Sequence, residues 1–185
     1  MALKDNDSNV RVQAARALEC FKDVRAIDPL ILALRDEDRR VRAEAAFALK
    51  YYARAIDPLI MALKDKDGSV RASAAITLGN LKDVRAIDPL ILALKDEDGY
   101  VRDVATGALG YFKDARVIDP LIQATLNDPD QYIRARAAIA LGKINDVRCI
   151  DTLIKALKDG YPKGRNEAEK ALEKFELSEE NKLEP

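Results

Sequence analysis

Side chains that could carry out chemistry are few in this sequence of 185 residues, and histidine is absent from it. The chain therefore has no imidazole for a zinc or iron site, and none for a Ser-His-Asp triad. Its two cysteines, Cys20 and Cys149, are too few to hold a metal cluster by themselves. It also lacks a Gly-x-Gly-x-x-Gly motif and a Gly-Lys-Ser/Thr phosphate loop. We therefore expect no enzyme, no catalytic residue, no metal site and no cofactor.

Carboxylates are abundant, but they recur at one position of a repeating pattern. Asp precedes Pro or Thr at Asp28, Asp57, Asp88, Asp119 and Asp151. A catalytic acid pair needs two environments that separate two pKa values, whereas these residues share one environment. Asp at the N-cap with Pro at the next position is a strong start signal for a helix, because Pro has no N–H to lose there. We interpret the five carboxylates as N-caps.

Internal repeats explain where these residues stand. The motif that begins Val10-Arg11 returns at Val41, Val70, Val101, Ile133 and, degraded, Gly164, with offsets of 31, 29, 31, 32 and 31 residues. Ala-Ile-Asp-Pro-Leu-Ile recurs in the same register from Ala26 onwards. This period is typical of stacked helical repeats. It predicts one domain with a half repeat at 1–7, full repeats at 8–38, 39–67, 68–98, 99–130 and 131–161, a capping helix at 162–176 and a polar tail at 177–185.

Each repeat is predicted to form two antiparallel helices. The start of the first is marked by an acidic N-cap at Asp7, Asp38, Asp67, Asp98 and Asp130. Its apolar face in the first repeat is Val10, Ala14, Ala17, Leu18 and Phe21. The second helix has its apolar stripe at Ile27, Leu30, Ile31 and Leu34. One pair cannot bury both faces, so we expect the pairs to stack into an all-α solenoid.

The signature Val-Arg-x-x-Ala-Ala-x-Ala-Leu, followed by Arg-Ala-Ile-Asp-Pro-Leu-Ile-x-Ala-Leu-Lys-Asp, resembles the HEAT-like repeats of the phycobilisome-lyase type. The resemblance covers residues 1 to 175 and implies a right-handed superhelix of antiparallel helix pairs. Such repeats occur in scaffolds, in chromophore lyases and in a metal-dependent hydroxylase. The hydroxylase relatives bind iron through His-Glu pairs, which this chain lacks. A bilin lyase-like role, or that of an accessory subunit in cofactor attachment, stays open as an alternative.

A partner-binding surface is expected on the second helices, which line the concave surface in HEAT-type solenoids. Opposite their apolar stripe lie Arg25, Pro29, Leu32 and Asp36. The Leu32 position carries apolar residues in three consecutive repeats, which favours an interaction site. The predicted partner-binding residues are Leu32, Met61, Leu92 and Gln123, flanked by Arg25, Arg54, Arg85 and Arg116.

Arginine forms two ladders along the repeats. The ladder of Arg25, with Arg148 as its last member, could hold the carboxylates of an acidic peptide. Local pairing with Asp23, Asp83, Asp114 or Asp146 is the alternative. The second ladder is interpreted as structural ion pairing between repeats, and it comprises Arg11, Arg42, Arg71, Arg102, Arg134 and Arg165.

Composition narrows the range of partners. Lys and Arg total 31 against 32 for Asp and Glu, so the basic excess of a nucleic-acid binder is absent. No apolar run approaches the roughly 20 residues of a membrane span, and no signal peptide stands at the N-terminus. The cysteines fall four repeats apart, so we expect free thiols in the cytoplasm.

The sequence thus predicts a scaffold that binds a protein or peptide partner. Ala2-Leu3-Lys4-Asp5 aligns with the end of a second helix, so nothing in the sequence covers the first repeat. We expect either a longer parent protein or self-association through this uncapped N-terminal edge. A structural or assembly protein that self-associates is therefore a further alternative.

Overall fold

The structure is a computed structural model that describes residues 2–180, with side chains described up to residue 175. Every regular element within residues 2–180 is helical. Residues 181–185 of the predicted polar tail lie outside the described residues, and the last helix runs past the predicted end at residue 176. The α-helices are α1 Ser8–Phe21, α2 Ile27–Ala33, α3 Arg39–Ala48, α4 Ile56–Ala62, α5 Gly68–Leu81, α6 Ile87–Ala93, α7 Gly99–Leu109, α8 Ile118–Asn127, α9 Gln131–Ile144, α10 Ile150–Ala156 and α11 Pro162–Glu180.

The chain forms two compact units, Met1–Pro89 and Leu90–Pro185. In the first unit α1, α3 and α5 pack side by side, while α2 packs on α3 and α4 packs on α5. In the second unit α7, α9 and α11 pack in the same order, with α8 on α9 and α10 on α11. In these four cases the second helix of a repeat thus packs on the first helix of the next. This packing of helix pair on helix pair confirms the predicted all-α solenoid class.

The first helix of each repeat begins at the predicted aspartate. The side chains of Asp7, Asp38 and Asp67 accept hydrogen bonds from the backbone N–H two residues further on. Asp98 and Asp130 do the same in the second unit. Each carboxylate satisfies one of the N–H groups that a helix start leaves free, and it meets the positive end of the helix dipole.

The start of the second helices was predicted wrongly. A 3-10 turn, such as Val24–Ala26, runs directly into the α-helix, and Ala26 rather than Asp28 precedes α2. The capping carboxylate is that of Asp23, which accepts from the N–H of Arg25. Asp28 lies inside the first turn and makes no cap. The helical segment thus begins about one turn earlier than the Asp-Pro signal suggests. Equivalent 3-10 turns precede the other second helices, at Ala53–Ala55, Val84–Ala86, Ala115–Val117 and Val147–Cys149.

The apolar face predicted for α1 is largely exposed rather than buried. Val10 is 39% exposed, whereas its equivalents Val41, Val70 and Val101 are fully buried. Phe21 is 75% exposed, although its equivalent Phe112 is buried. The burial of α1 rests instead on Val12 and Ala15. The face repeated in each first helix is therefore the one that a preceding repeat covers. The predicted second-helix stripe is buried at Ile27 and Leu30, but only half-buried at Ile31 and Leu34.

The ladder that starts at Arg11 holds the loops between helices. Arg11 donates Nε and Nη2 to the Asp36 carboxylate, each at 2.8 Å, while its Nη1 donates to the carbonyl of Asp5 at 2.9 Å. Arg42 makes the equivalent contacts, since its Nε donates to the Asp65 carboxylate and its Nη1 donates to the carbonyl of Asp36. The predicted ion pairing between repeats is corrected: the carboxylate partner lies in the same repeat, and backbone carbonyls make the link to the preceding one.

The second repeat is two residues shorter than the first, because its motif is followed by the next one after 29 residues rather than 31. This deletion follows α3, which has 10 residues, and it changes the residues that contact the end of that helix. Tyr52 occupies the position of the capping aspartate, is buried, and its hydroxyl donates to the carbonyl of Asp23 at 3.2 Å. Lys50 N–H donates to the carbonyl of Phe47, so the carbonyl of Ala46 needs another partner. The buried Thr77 hydroxyl supplies it at 2.9 Å.

Gly79, Gly110 and Gly142 occupy the same position in their repeats, and the last two permit close helix packing. A Cβ at Gly110 would lie 2.9 Å from the Cβ of Ala140, and one at Gly142 would lie 2.6 Å from the Cβ of Ala171. Within the described residues no glycine has a positive φ. At Gly110 and Gly142 the absence of a Cβ therefore allows an alanine of the neighbouring helix to pack closely.

Candidate protein-binding surface

The predicted apolar residues stand exposed on the second helices. In the first unit, Leu32 on α2 is 63% exposed and Met61 on α4 is 66% exposed. In the second unit, Leu92 on α6 is 69% exposed. Gln123 on α8 is also exposed, and its Oε1 accepts from Asn127 at 2.9 Å. Pro29 is only half-buried, and Asp36 pairs with Arg11 beyond the end of α2, so Asp36 does not belong to this surface.

Each unit has a cleft between two neighbouring second helices. The cleft between α2 and α4 measures about 400 Å³ and is lined by Ile31, Leu34, Arg35, Asp57, Pro58, Met61, Ala62 and Asp65. A cleft of about 520 Å³ in the second unit is lined by the equivalent residues Ile91, Leu94, Lys95, Asp119, Pro120 and Gln123, among others. Both have an apolar wall and charged rims. This is the composition that suits an inserted side chain of a peptide.

The arginines predicted to hold an acidic peptide are paired with carboxylates of this chain. Arg25 contacts Asp23 at 2.5 Å, Arg116 contacts Asp114 at 2.9 Å, and Arg148 contacts Asp146 at 2.8 Å. Arg85 contacts both Asp83 at 2.8 Å and Asp57 at 3.2 Å. Local pairing, the alternative left open by the sequence, is what the structure shows.

Arg54 differs because the deletion removes its local aspartate. It contacts Asp28 of the preceding repeat at 2.7 Å, and both side chains are mostly exposed. With Arg85 and Asp57, this pair forms a rim of alternating charges beside Leu32 and Met61. Exposed pairs of this kind stabilise a fold by only about 0–1 kcal/mol, so a partner could displace them at small cost.

The local pairs keep the capping carboxylates ionised. The side-chain and backbone hydrogen bonds of Arg25 lower the pKa of Asp23 from its ordinary 3.8 to about 2. Arg116 and Arg148 lower the pKa of Asp114 and of Asp146 to about 2 in the same way. These acids therefore stay charged in acid that would protonate an ordinary aspartate.

A row of cations at the ends of helical segments, two of them just past α2 and α4, was not singled out from the sequence. Lys4, Arg35 and Lys64 stand at equivalent positions of successive repeats in the first unit, and all three are exposed. Among residues 2–175, none of them has a carboxylate within ion-pairing distance. The sequence signal for this row was the recurrent Leu-Lys/Arg-Asp at the end of each second helix.

Tyrosines mark other exposed places on the molecule. In the first unit Tyr51 lies under the ammonium groups of Lys22 and Lys50, at 4.5 Å and 5.3 Å from the ring centroid. In the second unit Lys143 lies 4.9 Å from the ring centroid of Tyr111. The ring of Tyr132 meets that of Tyr161 edge-on at 5.1 Å. This contact joins the starts of two successive repeats.

The remaining reactive groups give no second site. Cys149 is buried, and burial raises the pKa of its thiol, whereas Cys20 is exposed. Within the part of the chain that the structure describes, no three Cys, Asp or Glu side chains are arranged to hold a metal ion. None of the helices in that part is long and apolar enough to cross a membrane.

The stacked helix pairs, their repeated caps and the exposed face of the second helices together define an α-helical repeat protein. A family model described as HEAT repeats matches residues 1–50, 27–109 and 87–173. These overlapping matches span most of the chain. The chain therefore belongs to the HEAT repeat family, as the resemblance indicated.

Several solved structures have a similar fold. The chain is 23% identical to an engineered protein, with 95% of this chain and 94% of that one covered at a TM-score of 0.74. It is 25% identical to YibA from Escherichia coli, with coverages of 96% and 71% and a TM-score of 0.72. It is 26% identical to the CpcE–CpcF complex of phycocyanin lyase from Nostoc sp., with coverages of 82% and 65% and a TM-score of 0.70. No curated protein sequence matches it.

Proposed function

We propose that this protein is a non-enzymatic scaffold that binds a protein or peptide on the exposed face of its second helices. The single observation that carries the proposal is the exposure of Leu32, Met61 and Leu92 at one repeat position, each by more than three-fifths. A repeat protein has no structural need for large apolar residues there, because the buried stripe of the same helix already makes the packing contacts. Exposed apolar residues at adjoining positions are typical of interaction sites.

The clefts beside these residues support the same proposal. In the first unit, Met61 and the half-buried Ile31 and Leu34 give the cleft an apolar wall on which a partner side chain can pack. The methionine side chain is flexible and adapts to partners of different shape. The balanced composition supports a protein partner rather than nucleic acid, and two unpaired thiols are in keeping with a cytoplasmic protein.

An affinity capture from native extract tests this proposal. The bait chains are the wild type, the Leu32→Glu/Met61→Glu/Leu92→Glu variant, and a matched Tyr51→Glu/Tyr111→Glu variant altered away from the second helices. We expect the wild type and the tyrosine variant to retain a common partner, and the second-helix variant to lose it while its circular dichroism stays helical. Equal capture by all three chains would rule out this face as the binding site.

Self-association is a second candidate, favoured by the exposed face of α1. Val10 and Phe21 are exposed, while their counterparts Val41 and Phe112 are buried by a neighbouring helix. A second copy could cover this face through the same apolar contacts. Sedimentation at increasing concentration should then show dimers that Val10→Glu/Phe21→Glu abolishes and Val84→Glu/Val147→Glu preserves. A monomer at all concentrations would exclude the self-association.

A lyase-like role is a third candidate, supported by the similarity to the CpcE–CpcF complex of phycocyanin lyase. Nothing in the described residues singles out a side chain for bilin chemistry. The test is incubation of the chain with a free bilin, alone and with a bilin-accepting subunit, followed by denaturing electrophoresis. Pigment fluorescence on the accepting subunit would support the role, and its absence would leave the scaffold function.

A further inference from the structure

We infer that the peptide bound by the first unit carries acidic residues next to its apolar anchors, and that Arg35 and Lys64 receive those carboxylates. This inference rests on the proposed function, since it concerns the same face of α2 and α4. It names the chemical class of the partner, which the apolar residues alone leave open.

The cations of the first unit fall into a paired group and an unpaired group. Arg11 and Arg42 are buried and hold Asp36 and Asp65 at 2.8 Å and 2.7 Å. Arg25, Arg54 and Arg85 each contact a carboxylate of this chain. Lys4, Arg35 and Lys64 have no carboxylate partner among residues 2–175, and all three are exposed. These three residues thus leave unpaired positive charge at the ends of helical segments in this unit.

These cations stand beside the apolar residues, not elsewhere on the surface. Arg35 and Lys64 lie in the turns that follow α2 and α4, where the backbone N–H of each donates at 3.0 Å to the carbonyl of the apolar residue three positions earlier, Leu32 or Met61. This i, i+3 turn places each cation next to its apolar residue. Arg35 and Met61 line the same cleft of about 400 Å³. An apolar side chain that enters this cleft therefore places its neighbouring residues within reach of the guanidinium group.

The two carboxylates that line the cleft are already paired with arginines of this chain. Asp57 is engaged by Arg85 at 3.2 Å, and Asp65 is engaged by Arg42 at 2.7 Å. Arg35 is the lining cation that keeps its hydrogen-bond donors for a partner. A planar guanidinium group binds a carboxylate through two parallel hydrogen bonds, which gives direction as well as attraction.

The cleft of the second unit repeats the arrangement with one change. Lys95 follows Leu92 by three residues and lines the cleft with Ile91 and Leu94. Asp119, Gln123 and Asn127 also line it, together with Arg102 and Asp128, which pair with each other at 3.0 Å. Gln123, an uncharged amide, stands here at the position that Met61 holds in the first unit.

A basic residue at the end of a helix also has a structural explanation, because it interacts favourably with the negative end of the helix dipole. That effect accounts for one cation per helix and needs no exposed apolar neighbour. It predicts a change in stability when the charge is reversed, but no change in the peptides that the chain selects. The two explanations therefore differ in a measurable way.

The test is a selection of short random peptides from a display library on the immobilised full chain, followed by sequencing. Four baits are compared: the wild type, Arg35→Glu/Lys64→Glu, the charge-matched control Lys113→Glu/Lys163→Glu, and Leu32→Glu/Met61→Glu. Lys113 follows α7 and Lys163 lies in the first turn of α11, so neither lies on a second helix. Circular dichroism establishes that each bait is folded.

We expect the wild type and the lysine control to enrich peptides in which Asp or Glu stands close to Leu, Ile or Phe. Synthetic peptides from that pool should bind Arg35→Glu/Lys64→Glu about tenfold more weakly, and raised salt should weaken the wild-type binding. The inference would be overturned by basic or neutral peptides that bind Arg35→Glu/Lys64→Glu as well as the wild type but do not bind Leu32→Glu/Met61→Glu. That result would leave the proposed function standing. If no peptides are enriched, or if the enriched peptides bind both double variants as well as the wild type, the result counts against the inference and against the proposed function.

Discussion

At the scale of single residues, the neighbours of an arginine decide what it does. Arg42 is almost fully buried and joins the Asp65 carboxylate to the carbonyl of Asp36, so it holds two loops together. Arg25 is exposed and caps its own turn through Asp23. Arg35 has neither kind of partner and faces a cleft. The same residue type thus serves stability in one place and is available for recognition in another.

A buried hydroxyl provides a test at this scale. Thr77→Val removes the donor that satisfies the carbonyl of Ala46 near the end of the shortened α3. A buried carbonyl without a partner costs about 1–3 kcal/mol, so the free energy of unfolding should fall by that amount. Thr77→Ser keeps the hydroxyl and should lose clearly less. Urea unfolding followed by circular dichroism measures both, and equal stability of Thr77→Val and the wild type would contradict the assignment.

At the scale of elements, local signals were sufficient for the first helices but not for the second. The aspartate of Asp7-Ser-Asn-Val caps α1 as predicted, because a cap depends on residues within one turn. The Asp28-Pro29 signal pointed one turn too late, because Asp23 had already begun the helical segment and the 3-10 turn Val24–Ala26 is too short to show a periodic pattern. The partners of Arg11 were also missed, since Asp36 lies 25 residues away in sequence.

The candidate surface could be predicted in part for the same reason. Comparison of repeats was enough to identify Leu32, Met61 and Leu92 as exposed, because their periodicity places them opposite the core. The free cations at Arg35 and Lys64 could not be recognised from sequence. Their availability depends on where every neighbouring carboxylate points, and that is a property of the folded chain.

Loop-holding pairs and rim pairs should differ in what they contribute to stability. Asp65→Ala leaves the buried Arg42 without its carboxylate, and such a loss costs about 3–5 kcal/mol. Asp28→Ala breaks the exposed pair with Arg54 and should cost no more than about 1 kcal/mol. Thermal and urea unfolding of the two variants measures the contrast. Equal losses would show that the two ladders do not have separate roles.

At the scale of the whole molecule, the repeats separate structure from recognition. Positions that are the same in every repeat make the caps, the loop-holding pairs and the core. Leu32 and Met61 belong to none of these, yet they recur on the exposed face of successive second helices. Under the proposed scaffold function, the specificity of this HEAT repeat protein depends on what stands beside that apolar stripe.

The measurement that tests this account most directly is photo-crosslinking of a captured partner. A photoreactive phenylalanine analogue is placed at Met61 on α4 in one chain and at Tyr51, after α3, in another; both positions are exposed, so neither substitution disturbs the core. We predict a covalent adduct with the partner from position 61 and none from position 51. An adduct from position 51 without one from position 61 would contradict the assignment of the second helices as the binding surface.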